Sequence, residues 1–252
     1  MPAVSHRRLF PAGRRLAKLG LVRWDLLRHR DGAAVRTWWP VLAGAYSGHI
    51  VVPSRAIASS REEAADFATH GLVSAGARVL DVGAGNGRQA IGLIEMGVAA
   101  YAGLDVVPGS VEWGNRAFAG FSSVSFTLMD VANAMYNPNG ALAPDAAVFP
   151  FPDASFDFAV ACSLYTHLER MEACARYIAE TARVLRPGGA AFMSFFASPP
   201  NPLNSGAVRS VFPREEILAA INPHFVVERS TNGTTTDFHD QWRLYLRKSS
   251  AA

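Results

Sequence analysis

Three closely spaced glycines give this chain its clearest ligand-binding signal. Gly83, Gly85 and Gly87 follow the apolar run 79–82, and a helical pattern opens at Arg88. Glycines let the backbone turn tightly and approach a ligand, while the free N–H groups at a helix start act as hydrogen-bond donors. The dinucleotide-binding fingerprint needs Gly or Ala where this chain has Arg88. The arginine therefore argues against a bound pyrophosphate and against a NAD-dependent dehydrogenase.

Carboxylates follow three of the apolar runs. Asp81, Asp105 and Asp130 each stand at or near the end of a run that is typical of a buried strand. Asp105 follows Gly87 by 18 residues, which suits a carboxylate that accepts hydrogen bonds from ribose hydroxyls. Ligands of open α/β sheets bind outside the carboxyl ends of the strands, so we expect the three aspartates at one crevice. The combination predicts an adenosine-binding site.

Short apolar runs that alternate with helical patterns are the elements that must position these residues. Alternation of this kind predicts an α/β fold, with a parallel sheet and helices on both of its faces. The predicted strands are 78–82, 99–105, 124–130, 156–162, 190–196, 225–229 and 242–246. The predicted helices are 61–71, 88–96, 110–118, 169–185 and 214–221.

The composition excludes several classes of protein. Half of the 252 residues are apolar and 18% are charged, which fits one large or two small folded domains and not a disordered chain. The apolar stretches fall short of the roughly 18 residues of a membrane helix, and the arginine-rich start does not resemble a signal peptide. Cys162 and Cys174 are too few for a disulfide framework or a structural zinc site. These features favour a cytoplasmic protein.

Positive charge is concentrated at the N-terminus. Residues 1–36 carry nine Lys or Arg against two Asp, a local charge of +7, whereas the rest of the chain is mildly acidic. Apolar residues at helical spacing within this arm predict an amphipathic helix that packs on the body. The alternatives are contact with an anionic membrane surface or with an acidic ligand. The acidic body argues against a nucleic-acid partner.

Several segments together resemble the class I S-adenosylmethionine-dependent methyltransferases, of the type 11 kind. They are the block 79–88, the aspartates after the next two strands, Phe-Asp-Phe at 156–158, and Ala-Arg-Val-Leu-Arg-Pro-Gly-Gly at 182–189. The resemblance implies a Rossmann-like, doubly wound sheet of seven strands, mostly parallel with an antiparallel last strand, preceded by a helical lid. It divides the chain into a basic arm and lid segment, 1–75, and a methyltransferase domain, 76–252.

The resemblance also implies S-adenosylmethionine as cofactor and S-adenosylhomocysteine as product. The glycines would surround the methionine part, Asp105 would hold the ribose, and Asp130 with the Val131 backbone would read the adenine. The residues expected at the cofactor are Asp81, Gly83, Gly85, Asn86, Gly87, Asp105, Val106, Asp130, Val131 and Ser163. Asp157 and the stretch 185–189, which would end a helix, are expected to be structural. No metal is predicted, although some O-methyltransferases use magnesium.

A finer resemblance concerns the acceptor. The segment 101–113, then Asp130-Val-x-Asn-x-x-Tyr-Asn-Pro-x-Gly140 and 151–157 are similar to bacterial methyltransferases of polysaccharide and glycolipid biosynthesis. This implies O-methylation of a sugar hydroxyl on an oligosaccharide, glycolipid or glycosylated metabolite. Those relatives carry Phe-Thr-His-Met where this chain has Tyr-Thr-His-Leu at 165–168, which leaves the substrate open.

Methyl transfer to a hydroxyl requires removal of its proton, and two places in the sequence offer a base. His167 lies just beyond the fourth strand, where acceptors enter in this fold, and an imidazole can accept a proton near neutral pH. His167 is therefore the predicted general base. His239 and Asp240 open the last strand, which should start at the same edge, and they are the second candidates.

Four aromatic or imidazole side chains are predicted to contact the acceptor. Tyr46 and His49 lie in the lid segment, Tyr136 lies in the long stretch after the third strand, and Tyr165 precedes His167. The alternatives to a sugar acceptor are a non-sugar metabolite or lipid methylated at O, N or C, and RNA. A catalytically silent binding module is a further alternative, against which the complete glycine and aspartate set argues. The oligomeric state is left open.

Overall fold

The computed structural model of the chain describes residues 53–196, 210–232 and 241–249. The predicted N-terminal amphipathic helix lies outside these ranges. So do four predicted site residues, Tyr46, His49, His239 and Asp240.

Seven strands and five α-helices make up the described fold. The strands are β1 (Arg78–Val82), β2 (Ala100–Asp105), β3 (Val124–Leu128), β4 (Phe156–Ala161), β5 (Leu185–Phe196), β6 (Phe225–Asn232) and β7 (Gln241–Lys248). The helices are α1 (Pro53–Thr69), α2 (Arg88–Met96), α3 (Pro108–Ala117), α4 (Met171–Val184) and α5 (Arg214–Ile221). Two short 3₁₀ turns lie at Pro144–Ala146 and Tyr165–His167.

The strands form a single mixed sheet in the order β3-β2-β1-β4-β5-β7-β6. The neighbours from β3 to β5 are parallel, whereas β7 runs antiparallel to both β5 and β6. This confirms the predicted Rossmann-like α/β sheet, mostly parallel with an antiparallel last strand. The strand order reverses between β1 and β4, which is where ligands bind in open α/β sheets.

Alternate strand residues pack into two apolar cores, one on each face of the sheet. On one face, Val79 and Phe158 pack with Phe67 of α1 and with helices α2 and α3. On the other, Leu80 packs with α4 and α5, including the fully buried Ile178. This period of two fixes which side chains reach the helices, and the rigid layers hold the loops at the carboxyl edge.

Two elements begin at least five residues earlier than the sequence predicts. Helix α1 begins at Pro53, earlier than the predicted start at residue 61. Strand β5 begins at Leu185, where helix 169–185 was predicted to end and a Pro-Gly-Gly terminator to follow. Leu185 pairs with Phe156 of β4, and the register shifts before Ala190 pairs with Phe158, so the Pro-Gly-Gly segment forms an irregular first part of the strand.

Candidate active site

The glycine-rich loop 83–87 joins β1 to α2 at the carboxyl edge of the sheet. Gly83 and Ala84 donate their N–H groups to the Leu104 carbonyl, 2.8 and 3.1 Å away, which draws the loop toward β2. Gly87 adopts φ +79°, and a Cβ there would lie 2.6 Å from Phe126 Cζ. Gly85 also has a positive φ, but a Cβ at this residue would meet nothing within 4 Å. The loop thus needs glycine for its turn and keeps an open surface for a ligand.

Asp105 ties the end of β2 to the glycine loop. Its Oδ2 accepts a hydrogen bond from the Gly85 N–H at 2.7 Å, and its Oδ1 accepts one from the Val107 N–H at 2.8 Å. Burial raises the pKa of this carboxyl, and the backbone N–H groups at Val107, Gly85 and Val106 partly offset the rise. A carboxylate has about four acceptor positions. Asp105 can therefore hold the loop and still accept hydrogen bonds from a ligand's vicinal hydroxyls.

Asp81 lies beneath the same loop and not at its surface. The side chain is 2% exposed and accepts a hydrogen bond of 2.5 Å from the Tyr101 hydroxyl. Burial raises the pKa of Asp81 to about 7, although the Tyr101 hydrogen bond and the nearby Arg88 lower it. Because Asp81 is buried, it can act on the glycine loop through its charge and not through exposed contact with a ligand.

Arg88 points away from the loop and toward α1. Its guanidinium forms an ion pair with Glu63 at 3.1 Å and donates a hydrogen bond to Ser59 Oγ at 2.9 Å. Burial lowers the pKa of Arg88, but Glu63, Cys162 and Asp81 together outweigh this effect and the net direction is upward. Gln89 also donates to Glu63. The residue that departs from the dinucleotide fingerprint therefore docks α1 against α2.

Asp130 opens the next loop along the edge, residues 131–142. The side chain is exposed, and its Oδ1 accepts a hydrogen bond from Asn137 Nδ2 at 3.0 Å. The same Asn137 amide donates to the Val131 carbonyl at 3.2 Å. Asp130 is thus accessible to a ligand at the edge of the sheet, whereas the Val131 side chain is buried in the core.

The turn after β4 crosses the glycine loop. Ser163 has φ +61°, an uncommon conformation for a residue other than glycine, and its N–H donates to Ser194 Oγ at 2.8 Å. Gln241, the first residue of β7, donates from Nε2 to Ser163 Oγ at 2.9 Å. Leu164 packs so closely on the loop that a Cβ at Gly83 would lie 3.1 Å from its Cδ1. Strands β5 and β7 therefore fix this turn directly above the glycines.

His167 and Tyr136 come together at the end of that turn. Their rings pack edge to face, with centroids 5.1 Å apart at an interplanar angle of 85°. The Tyr136 hydroxyl oxygen lies 3.5 Å from His167 Nε2. The structure therefore joins the predicted base to one of the predicted acceptor contacts, although the two residues are far apart in sequence.

Tyr165 is a core residue, and this placement does not fit the predicted contact with the acceptor. It is 1% exposed, its ring stacks on Phe195 at 4.5 Å, and its hydroxyl donates to Met193 Sδ at 3.4 Å. Successive side chains of a 3₁₀ turn point about 120° apart around its axis, so this turn places Tyr165 in the core. Closeness in sequence to His167 did not predict that the two side chains would point in different directions.

Gln241 and Asn133 are site residues that the sequence prediction missed. Gln241 is buried against Ser163, and Asn133 donates from Nδ2 to the His167 carbonyl at 2.9 Å. Asn133 does stand in the Asp-Val-x-Asn motif that suggested the finer resemblance. Gln241 adjoins the predicted His239 and Asp240, and its position shows that β7 starts at this edge of the sheet.

The described residues contain neither a cluster of metal-ligating side chains nor a membrane-spanning helix. Within residues 53–196, 210–232 and 241–249, no three His, Cys, Asp or Glu side chains are grouped so as to hold a metal ion. No helix in the described part of the chain has the length and apolar character needed to cross a membrane.

We expect the unfolding free energy to depend on Asp81 protonation. Because its folded pKa, about 7, lies above the ordinary value of 3.8, the folded state binds a proton that the unfolded state has released. The Asp81 contribution should therefore fall as pH rises from about 4 to 8, by at most about 1.4 kcal/mol per pH unit. Asp81→Asn keeps an acceptor for Tyr101 and should remove this dependence. Urea unfolding of the wild type and of Asp81→Asn at pH 5 and pH 8 gives the two free energies of unfolding at each pH. If the difference in free energy between the two proteins were the same at both pH values, the raised pKa of Asp81 would be contradicted.

Comparisons with known proteins agree with this geometry. Residues 80–193 match the family described as a methyltransferase domain. The chain is 30% identical over 164 residues to a demethylmenaquinone methyltransferase from Clavibacter sepedonicus, which covers 65% of this chain and 57% of that protein. It is 33% identical over 130 residues to a 27-O-demethylrifamycin SV methyltransferase from Amycolatopsis mediterranei, covering 51% and 42%. The matches thus span about half the length of these relatives.

A solved structure supports the fold at greater coverage. Magnesium protoporphyrin IX methyltransferase from Synechocystis PCC 6803, solved with bound S-adenosylmethionine, superimposes with a TM-score of 0.56 at 14% sequence identity. The superposition covers 89% of this chain and 97% of that one. The shared architecture is the seven-stranded mixed sheet described above.

Proposed function

We propose that this chain methylates a hydroxyl group of a small molecule or saccharide. The premise is the family match of residues 80–193, which supports membership in the class I S-adenosylmethionine-dependent methyltransferases. The comparisons support a methyltransferase of class EC 2.1.1.- and S-adenosylmethionine as its cofactor. In this proposal residues 76–252 form the catalytic domain, and residues 1–75 supply the lid segment.

The observation that carries the proposal is the pairing of Tyr136 with His167 at the edge that also holds the glycine loop and Asp105. Leu164 packs on Gly83, and His167 donates its N–H to the Leu164 carbonyl at 2.9 Å. The imidazole is thus tied to the cofactor loop through one short turn. A base next to a cofactor site is the arrangement that a hydroxyl acceptor requires.

Different residues of the chain have different functions in the proposed reaction. When bound, S-adenosylmethionine would supply a sulfonium methyl group for transfer to the acceptor oxygen, with S-adenosylhomocysteine as the leaving group. Asp105 would orient the ribose and Asp130 the adenine, while the open face at Gly85 would receive the methionine part. His167 takes the proton of the acceptor hydroxyl as the new bond forms. Holding both partners in place supplies the remainder of the rate enhancement.

For the acceptor we propose a sugar hydroxyl on a glycolipid, oligosaccharide or glycosylated metabolite. The motif from Asp130 to Gly140 supports this, because it forms the loop that touches His167. The second candidate acceptor is a large apolar ring compound, methylated at O, N or C. It is favoured by the exposed side chains of Met135, Tyr136 and Leu142 on that loop, and by the acceptors named for the menaquinone, rifamycin and porphyrin enzymes.

Cofactor binding is the first test of the proposal. We expect S-adenosylmethionine and S-adenosylhomocysteine to raise the melting temperature, because a ligand that binds only the folded state adds about 2.7 kcal/mol at 100 times its Kd. NADH is the control and should leave the melting temperature unchanged. Stabilisation by NADH and not by S-adenosylhomocysteine would contradict the proposal.

The acceptor is identified by transfer of a labelled methyl group. Labelled S-adenosylmethionine is incubated with the protein and with fractions of a cell extract, and the labelled product is analysed by mass spectrometry and acid hydrolysis. Label that is recovered on a released monosaccharide supports the sugar acceptor. Label on an aglycone or on a sugar-free ring compound supports the second candidate.

A further inference from the structure

The 131–142 loop is closed on itself by backbone pairing. Residues Val131 and Leu142 form a parallel bridge, and Asn133 and Asn137 form an antiparallel one. Gly140 fits because of its size, since a Cβ there would lie 2.4 Å from Ala132 N. The loop is therefore a compact unit whose tip, at residues 134–136, projects between the two bridged asparagines.

The Asn133 side chain makes contacts in two directions. Its Oδ1 accepts hydrogen bonds from the N–H groups of Met135 and Tyr136, at 3.1 and 3.0 Å, which shapes the tip. Its Nδ2 donates to the His167 carbonyl at 2.9 Å, across 34 positions of sequence. One amide thus fixes the conformation of the tip and fastens it to the turn that follows β4.

The contact between the rings depends on this fastening. Tyr136 is 38% exposed, and its ring lies edge to face with the His167 imidazole. An exposed side chain on a loop has many rotamers, and one of them is selected here because the loop and the turn are held at a fixed separation. The Tyr136 hydroxyl then lies on the Nε2 side of the imidazole.

We propose that Asn133 is a positioning residue of the acceptor site, which fastens the 131–142 loop to the turn of His167 and so holds Tyr136 against the imidazole. This inference rests on the proposed function, in which His167 takes the acceptor proton. Tyr136 and His167 then form two walls of one acceptor pocket, and Asn133 sets the distance between them.

The energetics predict an effect on geometry more than on stability. The hydrogen bonds from Met135 and Tyr136 lie at the surface, where water can replace a lost partner. A displacement of about 1 Å at a reacting group can nevertheless cost about 10²-fold in rate. We therefore expect a loosened pocket in a folded protein.

Two substitutions separate the functions of the amide. Asn133→Asp retains the Oδ1 acceptor and loses the donor to the His167 carbonyl, and Asn133→Ala loses both. Asn115→Ala is the matched control, because the Asn115 amide likewise bonds to backbone groups: it donates to Phe126 O at 2.8 Å and accepts from Phe126 N at 2.9 Å. Asn115 supports β3 and lies outside the proposed acceptor pocket.

The first readout is the NMR signal of the His167 Hε1 proton, assigned by its loss in His167→Ala. Tyr136→Ala defines the shift that results when the tyrosine ring is removed. We expect both Asn133 variants to move the signal in the same direction as Tyr136→Ala, and Asn115→Ala to leave it in place. Melting curves with and without S-adenosylhomocysteine verify that each variant is folded and binds the cofactor.

The second readout is steady-state methyl transfer. We expect kcat/KM for the acceptor to fall about 10- to 100-fold in Asn133→Ala, with an S-adenosylhomocysteine Kd within about twofold of the wild type. A His167 signal and an acceptor kcat/KM that both remain at wild-type values would overturn the role of Asn133. The NMR signal does not require turnover. If His167→Ala retained full turnover, the proposed base would fail, while the shift in the Asn133 variants would still decide whether Asn133 positions the two rings.

Discussion

Replacing His167 with alanine should lower kcat for methyl transfer by about 10²–10⁴, which is the usual contribution of a positioned general base. The His167 imidazole lies at the edge of the sheet beside Tyr136. The backbone N–H of His167 donates a hydrogen bond to the carbonyl of Leu164, which packs on the glycine loop. The substitution removes the base but leaves the contacts of the cofactor loop. Steady-state kinetics should therefore show a loss in kcat, and calorimetry should show an S-adenosylhomocysteine Kd close to that of the wild type.

Two further measurements separate basicity from geometry at this residue. His167→Asn keeps a polar side chain that cannot take a proton, so its kcat should be as low as that of the alanine variant. In the wild type the rate should rise with pH, because only the neutral imidazole accepts a proton. Wild-type turnover in His167→Ala would transfer the role to Asp240 or His239, or indicate an acceptor that needs no base.

Replacing Asp105 with alanine should weaken cofactor binding by at least about 100-fold. The substitution removes a carboxylate acceptor for the ribose hydroxyls, and hydrogen bonds to a charged group contribute about 1.5–3 kcal/mol each. It also removes the acceptor of the Gly85 and Val107 N–H groups, which loosens the glycine loop. Calorimetric titration with S-adenosylhomocysteine measures the loss. Asp105→Asn, which keeps one acceptor oxygen, should lose less.

Asp157→Ala is the control for the loss of a structural aspartate. Asp157 accepts a hydrogen bond from the Arg78 N–H at 2.8 Å and pairs with Arg186 at the amino end of the sheet, opposite the cofactor loop. Although burial raises the pKa of Asp157, its bonds to Arg78 and Arg186 lower it overall, so the folded state favours the charged form. This variant should lose stability and keep its cofactor affinity. Equal cofactor affinities in the Asp105→Ala and wild-type proteins would refute the assigned ribose contact.

The fold could be predicted because its signals are local and repeated. Each buried strand is a short apolar run, and the glycine spacing marks the turn at which β1 passes into α2. The predicted start of β5 was wrong because Pro-Gly-Gly is typical of the end of a helix. In the structure Leu185, which precedes this segment, already pairs with Phe156. Pairing between distant strands decided this boundary, and no pattern within the segment contains that information.

The site could be predicted only where the strand ends determine it. Asp105 and the glycine loop meet because parallel neighbours end at the same edge, and the hydrogen bond from Gly85 follows from that topology. The burial of Tyr165 depends on one 3₁₀ turn. The contact of Asn133 with the His167 carbonyl depends on how the 131–142 loop folds against the turn after β4. Such contacts follow from tertiary packing, which composition and spacing do not encode.

The insertion of β7 between β5 and β6 has a consequence for synthesis on the ribosome. Seven residues of β5, from Ala190 to Phe196, pair with β7, yet 45 positions of chain separate Phe196 from Gln241. At about 5–20 residues per second, β5 therefore emerges several seconds before its partner. During that interval an apolar strand edge has unpaired N–H and C=O groups, the feature that templates aggregation. The nascent chain cannot close its sheet in the order in which it is made, and a chain that stalls before residue 241 leaves this edge of β5 unpaired.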